Sequence, residues 1–223
     1  MAVADKHEIE ISAFNWVPDG AKGLVKDLRV RWMLEELGLS YKVRFLNASA
    51  PKPDDYLKDQ PFGQVPTYRD DDVHLFESGA ILSYLAEKHG QLLPAEPAAK
   101  ARAIGWMCAA LSSVEPFVQT FALINGLYKD EEWAKLRREG AEDMARTRLR
   151  QLADWLGDKQ WLEGAFSIGD MMMVSVLRIG EKLPLFGEFP ALRAYVDRAT
   201  ARPAFQTALA AQMAGFTTQP AAA

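Results

Sequence analysis

The chain predicts two domains of different class, a mixed α/β domain over residues 1–90 and an all-helical domain over residues 100–216. Three observations lead there. Strand-period and helix-period apolar patterns alternate up to residue 90. Residues 91–99, "QLLPAEPAA", then carry two prolines and no period, and read as a linker. Beyond them every apolar pattern has helical spacing, up to a frayed tail at 217–223.

Glu8 to Phe14 alternates, with Ile9, Ile11 and Ala13 on one face, and predicts a strand. Leu24 to Leu37 predicts a helix with the stripe Val30, Met33, Leu34 and Leu37, closed by Gly38 as C-cap. "YKVRFLN" alternates again, with Tyr41, Val43 and Phe45 on one side. Residues 48–62 are polar and proline-rich, with one helical turn near Tyr56. Two short strands, 65–68 and 73–76, flank the acidic run Asp70 to Asp72, which reads as a solvated hairpin turn. A helix with Ile81, Leu82 and Leu85 follows and stops at Gly90. The early strand–helix–strand unit implies a parallel pair with a right-handed crossover. In the helical half, Ala101, Ile104, Cys108 and Leu111 form one stripe, and Ala141, Ala145, Leu149, Leu152 and Leu156 another. Shorter helices are expected at 168–180, 190–200 and 203–213, and Pro116 is expected to kink its helix.

A net charge of −4 argues against general nucleic-acid binding. One cysteine, Cys108, permits no intrachain disulfide and no cysteine-rich metal site; its place on an apolar stripe reads as packing. His7, His74 and His89 have no ligand spacing, so no metal is expected. No secretory signal and no run of 18 apolar residues is present, which leaves a cytoplasmic address and no membrane partner as the expectation.

Proline is normally excluded from strand interiors, yet "GQVPTYRDDDVHLFESGAIL" has Pro66 inside a strand pattern. Read alone, Pro66 closes an edge strand in trans or makes a cis turn. The layout, the "VP" before a hairpin, "ESGAI" opening the next helix and "FSIGDM" further on together resemble the cytosolic glutathione transferases over nearly the whole chain. The resemblance implies a thioredoxin-like first domain, a helical second domain, a homodimer, and glutathione as co-substrate. It makes Pro66 cis, turning the N–H and C=O of Val65, beside Gln64, toward the cysteinyl part of glutathione. It gives the γ-glutamyl carboxylate to Ser78 and its ammonium to Glu77, with Lys52 or Lys58 for the glycine carboxylate. Ser78 read alone is a helix N-cap. Ser167 and Asp170 in "FSIGDM" form a capping box, with Phe166 and Met171 as its staple, a folding device and not a site.

The sequence departs from that family in the loop after the first strand. Most members place a Tyr, Ser or Cys there, near the glutathione sulfur; residues 15–23, "NWVPDGAKG", hold neither hydroxyl nor thiol. Chemistry through a protein mixed disulfide is therefore not expected. Activation of the thiol falls to Asn15, Trp16 or Lys22 and to backbone N–H groups, with a turn residue and a hydrophobic wall as the plain readings of Asn15 and Trp16. The loop, with two glycines and a proline, reads as a lid. Trp106, Phe117 and Phe121 are the apolar residues expected to meet a hydrophobic electrophile. The expected function is attack of the glutathione thiolate on that electrophile; the alternative is a non-catalytic glutathione-binding or scaffold protein that keeps the fold.

Overall fold

The structure, a computed structural model, describes residues 8–217; His7 and most of the expected tail lie outside the described residues. The chain divides into two compact units, one from the residues up to His89 together with those from Pro203 onward, the other from Gly90 to Arg202. The helical domain expected over 100–216 thus loses its last helix to the first unit.

In the first unit, strands β1 (Ile9–Phe14), β2 (Tyr41–Leu46), β3 (Thr67–Arg69) and β4 (His74–Phe76) form a mixed sheet of order β2-β1-β3-β4. β1 and β2 are parallel, from Ile9 opposite Tyr41 to Phe14 opposite Leu46, joined by helix α1 (Asp27–Leu37). This is the crossover that the sequence predicts. Ile9, Ile11 and Ala13 are buried as the alternation requires. On β2 only Leu46 is buried and Phe45 is 46% exposed, because β2 is an edge strand with one neighbour.

Helix α1 starts three residues later than expected, after a turn of 3-10 helix at Asp19–Ala21 and further turns. Gly38 caps it at φ +67°, a left-handed conformation that favours glycine. Alongside its apolar stripe it buries Asp27, Arg29 and Arg31. Arg31 Nε donates to Asp27 Oδ2 at 2.7 Å. Helices α2 (Asp54–Asp59), with Tyr56 buried, and α3 (Ser78–His89) complete the run. The acidic turn is only partly solvated. Asp71 and Asp72 are exposed, whereas Asp70 Oδ2 accepts from Tyr68 (2.9 Å), Tyr84 (3.0 Å) and Lys88 (2.8 Å). Burial pushes that carboxyl up, but Lys88, the Val73 and Asp72 N–H groups and Tyr68 outweigh it and hold it below the usual range.

The second unit holds α4 (Pro97–Ala109), α5 (Glu115–Asn125), α6 (Glu132–Leu156), α7 (Ile168–Gly180) and α8 (Pro190–Thr200). The linker is shorter than expected. Pro97 begins α4, where a missing N–H costs nothing, and the Glu96 carboxylate caps the Ala98 and Ala99 N–H groups at 2.9 and 2.6 Å. The stripe expected on α4 is also displaced: Ala103, Met107 and Ala110 are buried, and Cys108 is exposed. Small residues explain it, since a Cβ on Gly169 of α7 would sit 2.8 Å from the Ala103 carbonyl oxygen, so the two backbones touch where no bulk is needed. A π-helical turn at Ala110–Val114, in which the Glu115 N–H donates to the Ala110 carbonyl, links α4 to α5 and accommodates Pro116, which has no N–H to donate. Residues 97–125 are thereby one helical stretch, long and apolar enough in composition to cross a bilayer, but α4 packs on α7, and α5 on α6 and α7.

Helix α7 opens with the expected capping box. Ser167 Oγ accepts from the Gly169 N–H (3.2 Å), and Asp170 Oδ2 accepts from the Ser167 N–H (3.0 Å) and hydroxyl (3.1 Å). The Leu162 N–H (2.9 Å) and the Tyr195 hydroxyl (2.8 Å) bind Oδ1. The last helix, α9 (Pro203–Ala214), packs on α1 of the first unit, with Phe205 edge-on to Trp32 at 4.9 Å.

Candidate functional site

The β3–β4 register places Thr67 opposite Phe76. Pro66 and Glu77 are the next residues out, so the two motifs singled out in the sequence leave the sheet at one end, side by side. The Val65–Pro66 bond is cis, and β3 begins only at Thr67, so the proline precedes the strand and is not inside it. Both residues are buried, yet the N–H and C=O of Val65 have no hydrogen bond among the described residues. They are available to an added strand.

Four buried hydroxyl and carbonyl groups behind this turn have one consistent proton order. Tyr56 donates to the Gln64 carbonyl at 2.5 Å, so its oxygen must accept from Ser12, 2.8 Å away. Ser12 Oγ then accepts from the Thr67 N–H (2.6 Å) and hydroxyl (3.0 Å). The chain Thr67–Ser12–Tyr56–Gln64 pins the residues on both sides of Val65–Pro66. Burial raises the Tyr56 pKa, and the hydroxyl stays protonated as the chain requires.

At α3, Glu77 and not Ser78 is the N-cap: the first intrahelical bond runs from the Ile81 N–H to the Glu77 carbonyl at 3.0 Å. The Ser78, Gly79 and Ala80 N–H groups precede that bond and point out of the helix start. Glu77 is exposed and has φ +70°, a left-handed conformation costly for a residue with a Cβ. Ser78 is buried, and Arg29 Nη1 donates to its Oγ at 3.3 Å. A guanidinium 3% exposed under a helix N-terminus makes this spot strongly favourable for a carboxylate. Arg29 escaped the sequence reading; its signal was the dense charge of "KDLRVRW", too polar for an ordinary buried face.

The other expected residues fare unevenly. Lys52 does not face outward. Its ammonium donates to the carbonyls of Asn47 (2.8 Å), Ala48 (3.3 Å) and Ala50 (2.7 Å) and lies over the Phe14 ring, closing its own loop. Lys58 is exposed. Lys22 pairs with Asp19 at 2.7 Å across the 3-10 turn, a hydrogen bond and charge that lower the Asp19 pKa. Asn15 extends the β1–β2 ladder through its N–H to Leu46 O at 3.1 Å, and its side-chain Oδ1 is buried without a partner. Trp16 is half-buried. Trp106, Phe117 and Phe121 belong to the second unit and do not converge within it. Trp106 donates to Glu163 at 3.0 Å and packs on Trp155, and Phe121 is core, beside Val118 and Leu149. Phe117 lines a groove of about 360 Å³ with Leu136 and Met144 between α5 and α6.

Residues 23–87 match the family model of the glutathione S-transferase N-terminal domain. A glutathione S-transferase of Hyoscyamus muticus is 29% identical over 82% of this chain and 92% of its own length. Glutathione S-transferase 3 of Zea mays is 29% identical over 82% of this chain and 88% of its own. Among solved structures, a glutathione transferase family member from Pseudomonas fluorescens Pf-5, solved with two glutathione bound, superposes with TM-score 0.79 at 25% identity, covering 90% of this chain and 92% of that one. The thioredoxin-like sheet followed by helices agrees with these matches, which support a glutathione transferase family member with a glutathione S-transferase N-terminal domain over residues 23–87.

Proposed function

We propose that this protein is a glutathione transferase that binds glutathione on its first unit and presents the thiol as a thiolate to a hydrophobic electrophile. The observation that carries this reading is the pairing, at one end of the β3–β4 ladder, of an unsatisfied Val65 backbone with the Ser78–Arg29 anion pocket. The cysteinyl part of glutathione adds to Val65 as a strand. The γ-glutamyl carboxylate takes Ser78, the free N–H groups of α3 and Arg29, and the ammonium takes the exposed Glu77. Gln64 flanks the cysteinyl part. With Lys52 held by carbonyls, the glycine carboxylate falls to the exposed Lys58 or to solvent.

The sulfur lies toward the 15–26 loop. A free thiol of pKa about 8.5 needs about 2.7 kcal/mol of preferential thiolate stabilisation to ionise two units lower. One or two charge-assisted hydrogen bonds supply that, at about 1.5–3 kcal/mol each. The side-chain N–H groups of Asn15 and the Trp16 indole N–H are the donors proposed; Lys22 contributes through its charge while paired to Asp19. The family habit is a cytoplasmic homodimer, which light scattering at micromolar concentration tests. Titrating the thiolate absorbance of bound glutathione against pH tests the chemistry. A thiolate dominant at pH 7 supports the transferase; binding as thiol favours the non-catalytic carrier; absence of binding ends both.

A further inference from the structure

The loop that carries Asn15, Trp16 and Lys22 is held at both ends by the last described stretch of the chain. At its start, the Asn15 carbonyl accepts the Thr217 N–H at 2.7 Å and the Thr217 hydroxyl at 3.2 Å. At its far end, Gln212, only 2% exposed, sends Nε2 to the Val25 carbonyl at 3.1 Å and to Asp27 Oδ1 at 2.7 Å. The other Asp27 oxygen is taken by Arg31, so the second anchor is fixed to α1 as well. Between the anchors the chain turns through Gly215, where a Cβ would lie 2.9 Å from the Phe45 ring. That close approach keeps the turn seated on β2, so one anchor does not slide while the other holds. Thr217 is itself exposed, and both of these bonds end on the Asn15 carbonyl.

We propose that Gln212–Thr217 is a strap for the 15–26 loop, with Gln212 and Thr217 acting as positioning residues for the groups that face the glutathione sulfur. The inference rests on the reading of that loop given above. Its physical basis is the steepness of electrostatic stabilisation with distance: a misplacement of about 1 Å in a positioned group can cost about a hundredfold in rate. Residues 15–26, twelve residues with two glycines and a proline, are a long span over which to hold two donors at that precision, and the strap adds a tie at each end. The strap leaves the Val65 and Ser78 ends of the site alone. Binding and activation are therefore separable.

Thr217→Pro removes both the N–H and the hydroxyl at an exposed position, and Gln212→Met keeps the side-chain volume but removes the amide. Hydrogen exchange in the ligand-free full chain reads the strap without any ligand: the 15–26 amides are expected to exchange about tenfold faster in both variants. With glutathione bound, the midpoint of the thiolate titration should rise by about half a unit or more, and kcat toward chlorodinitrobenzene at pH 7 should fall about fivefold. Affinity for S-methylglutathione, which has no ionisable thiol, should stay within about twofold, because the γ-glutamyl and cysteinyl contacts are untouched. Unchanged exchange in both variants overturns the strap. Faster exchange with an unmoved titration overturns its role at the sulfur, as does a loss of S-methylglutathione affinity as large as the loss of kcat. If the parent binds no glutathione while exchange in the variants is faster, the functional reading above fails and takes this proposal with it, although the tether itself is real.

Discussion

A serine stands at the start of α7 as its N-cap and at the start of α3 as its first residue, and the two starts are finished differently. At α7 the chain supplies everything: Ser167 caps the helix, Asp170 reaches back, and Leu162 and Tyr195 fill the second carboxylate oxygen. At α3 the chain supplies an N-cap residue in a left-handed conformation, and the side-chain bond of Ser78 is to a cation, Arg29. The first helix start needs nothing from outside. The second leaves the Ser78, Gly79 and Ala80 N–H groups without an intrahelical partner beside the Arg29 guanidinium, and in the function proposed above a ligand carboxylate completes it. A closed start is a folding device; an open one is where a ligand's carboxylate is worth most.

The largest expected effect separates these roles. Asp170→Ala strands three or more buried donors and should cost about 3 kcal/mol or more in denaturant unfolding, with glutathione affinity of the folded fraction unchanged. A weakened ligand affinity in that fraction would break the contrast. Ser78→Ala should do the reverse. Glutathione binding by calorimetry should fall about tenfold or more, the loss of a charge-assisted contact, with little change in melting temperature. Glu77→Ala is expected to weaken binding similarly by removing the partner of the ammonium.

The pH dependence sharpens the comparison further. Burial raises the Asp170 pKa, and the donors around it offset this only in part. A carboxyl raised on folding contributes stability that is fully present below its unfolded pKa of about 3.9 and is lost as pH rises through the folded value. Asp170→Asn, which keeps an acceptor and cannot ionise, should flatten that fall on the rising side of pH 4, while remaining less stable than the parent at low pH. A parent whose stability shows no such fall would place the carboxyl in the ordinary range. The smallest effect is expected at Glu77→Gly. Glycine accepts φ +70° without a Cβ clash, so the folded state should gain up to about 1 kcal/mol even as glutathione binds less tightly. If both quantities fall, the left-handed Glu77 is supported by contacts in the free protein and is not held there for the ligand.

Much of this was legible in the amino-acid order. β1, α7 and its capping box, and α8 announced themselves through strong periods and end signals. "VP" and "ES" drew the candidate site because their chemistry is local, a proline and a helix start, and the structure brings the two to one end of the β3–β4 ladder. What escaped depends on long-range packing. Ala103 and Gly169 make a close helix contact that an apolar pattern weighted by bulk cannot register, and Cys108 was assigned to the core in their place. Arg29 and Asp70 look like surface charges until their partners, dozens of residues away or across a hairpin, are brought to them. Lys52 was credited to a ligand because its carbonyl partners are backbone atoms, which leave no trace in side-chain chemistry.

Helix α9 has a consequence for how the protein is made. The sheet and α1 leave the ribosome more than a hundred residues before Phe205, Gln212 and Thr217, which complete their packing and tie their loop. The helical unit is contiguous and can close as soon as Arg202 emerges. Of the two units, the one whose sheet is translated earlier is therefore the one closed later, and until α9 emerges the Trp32 face of α1 lacks Phe205, a surface that a chaperone would meet before its own helix does.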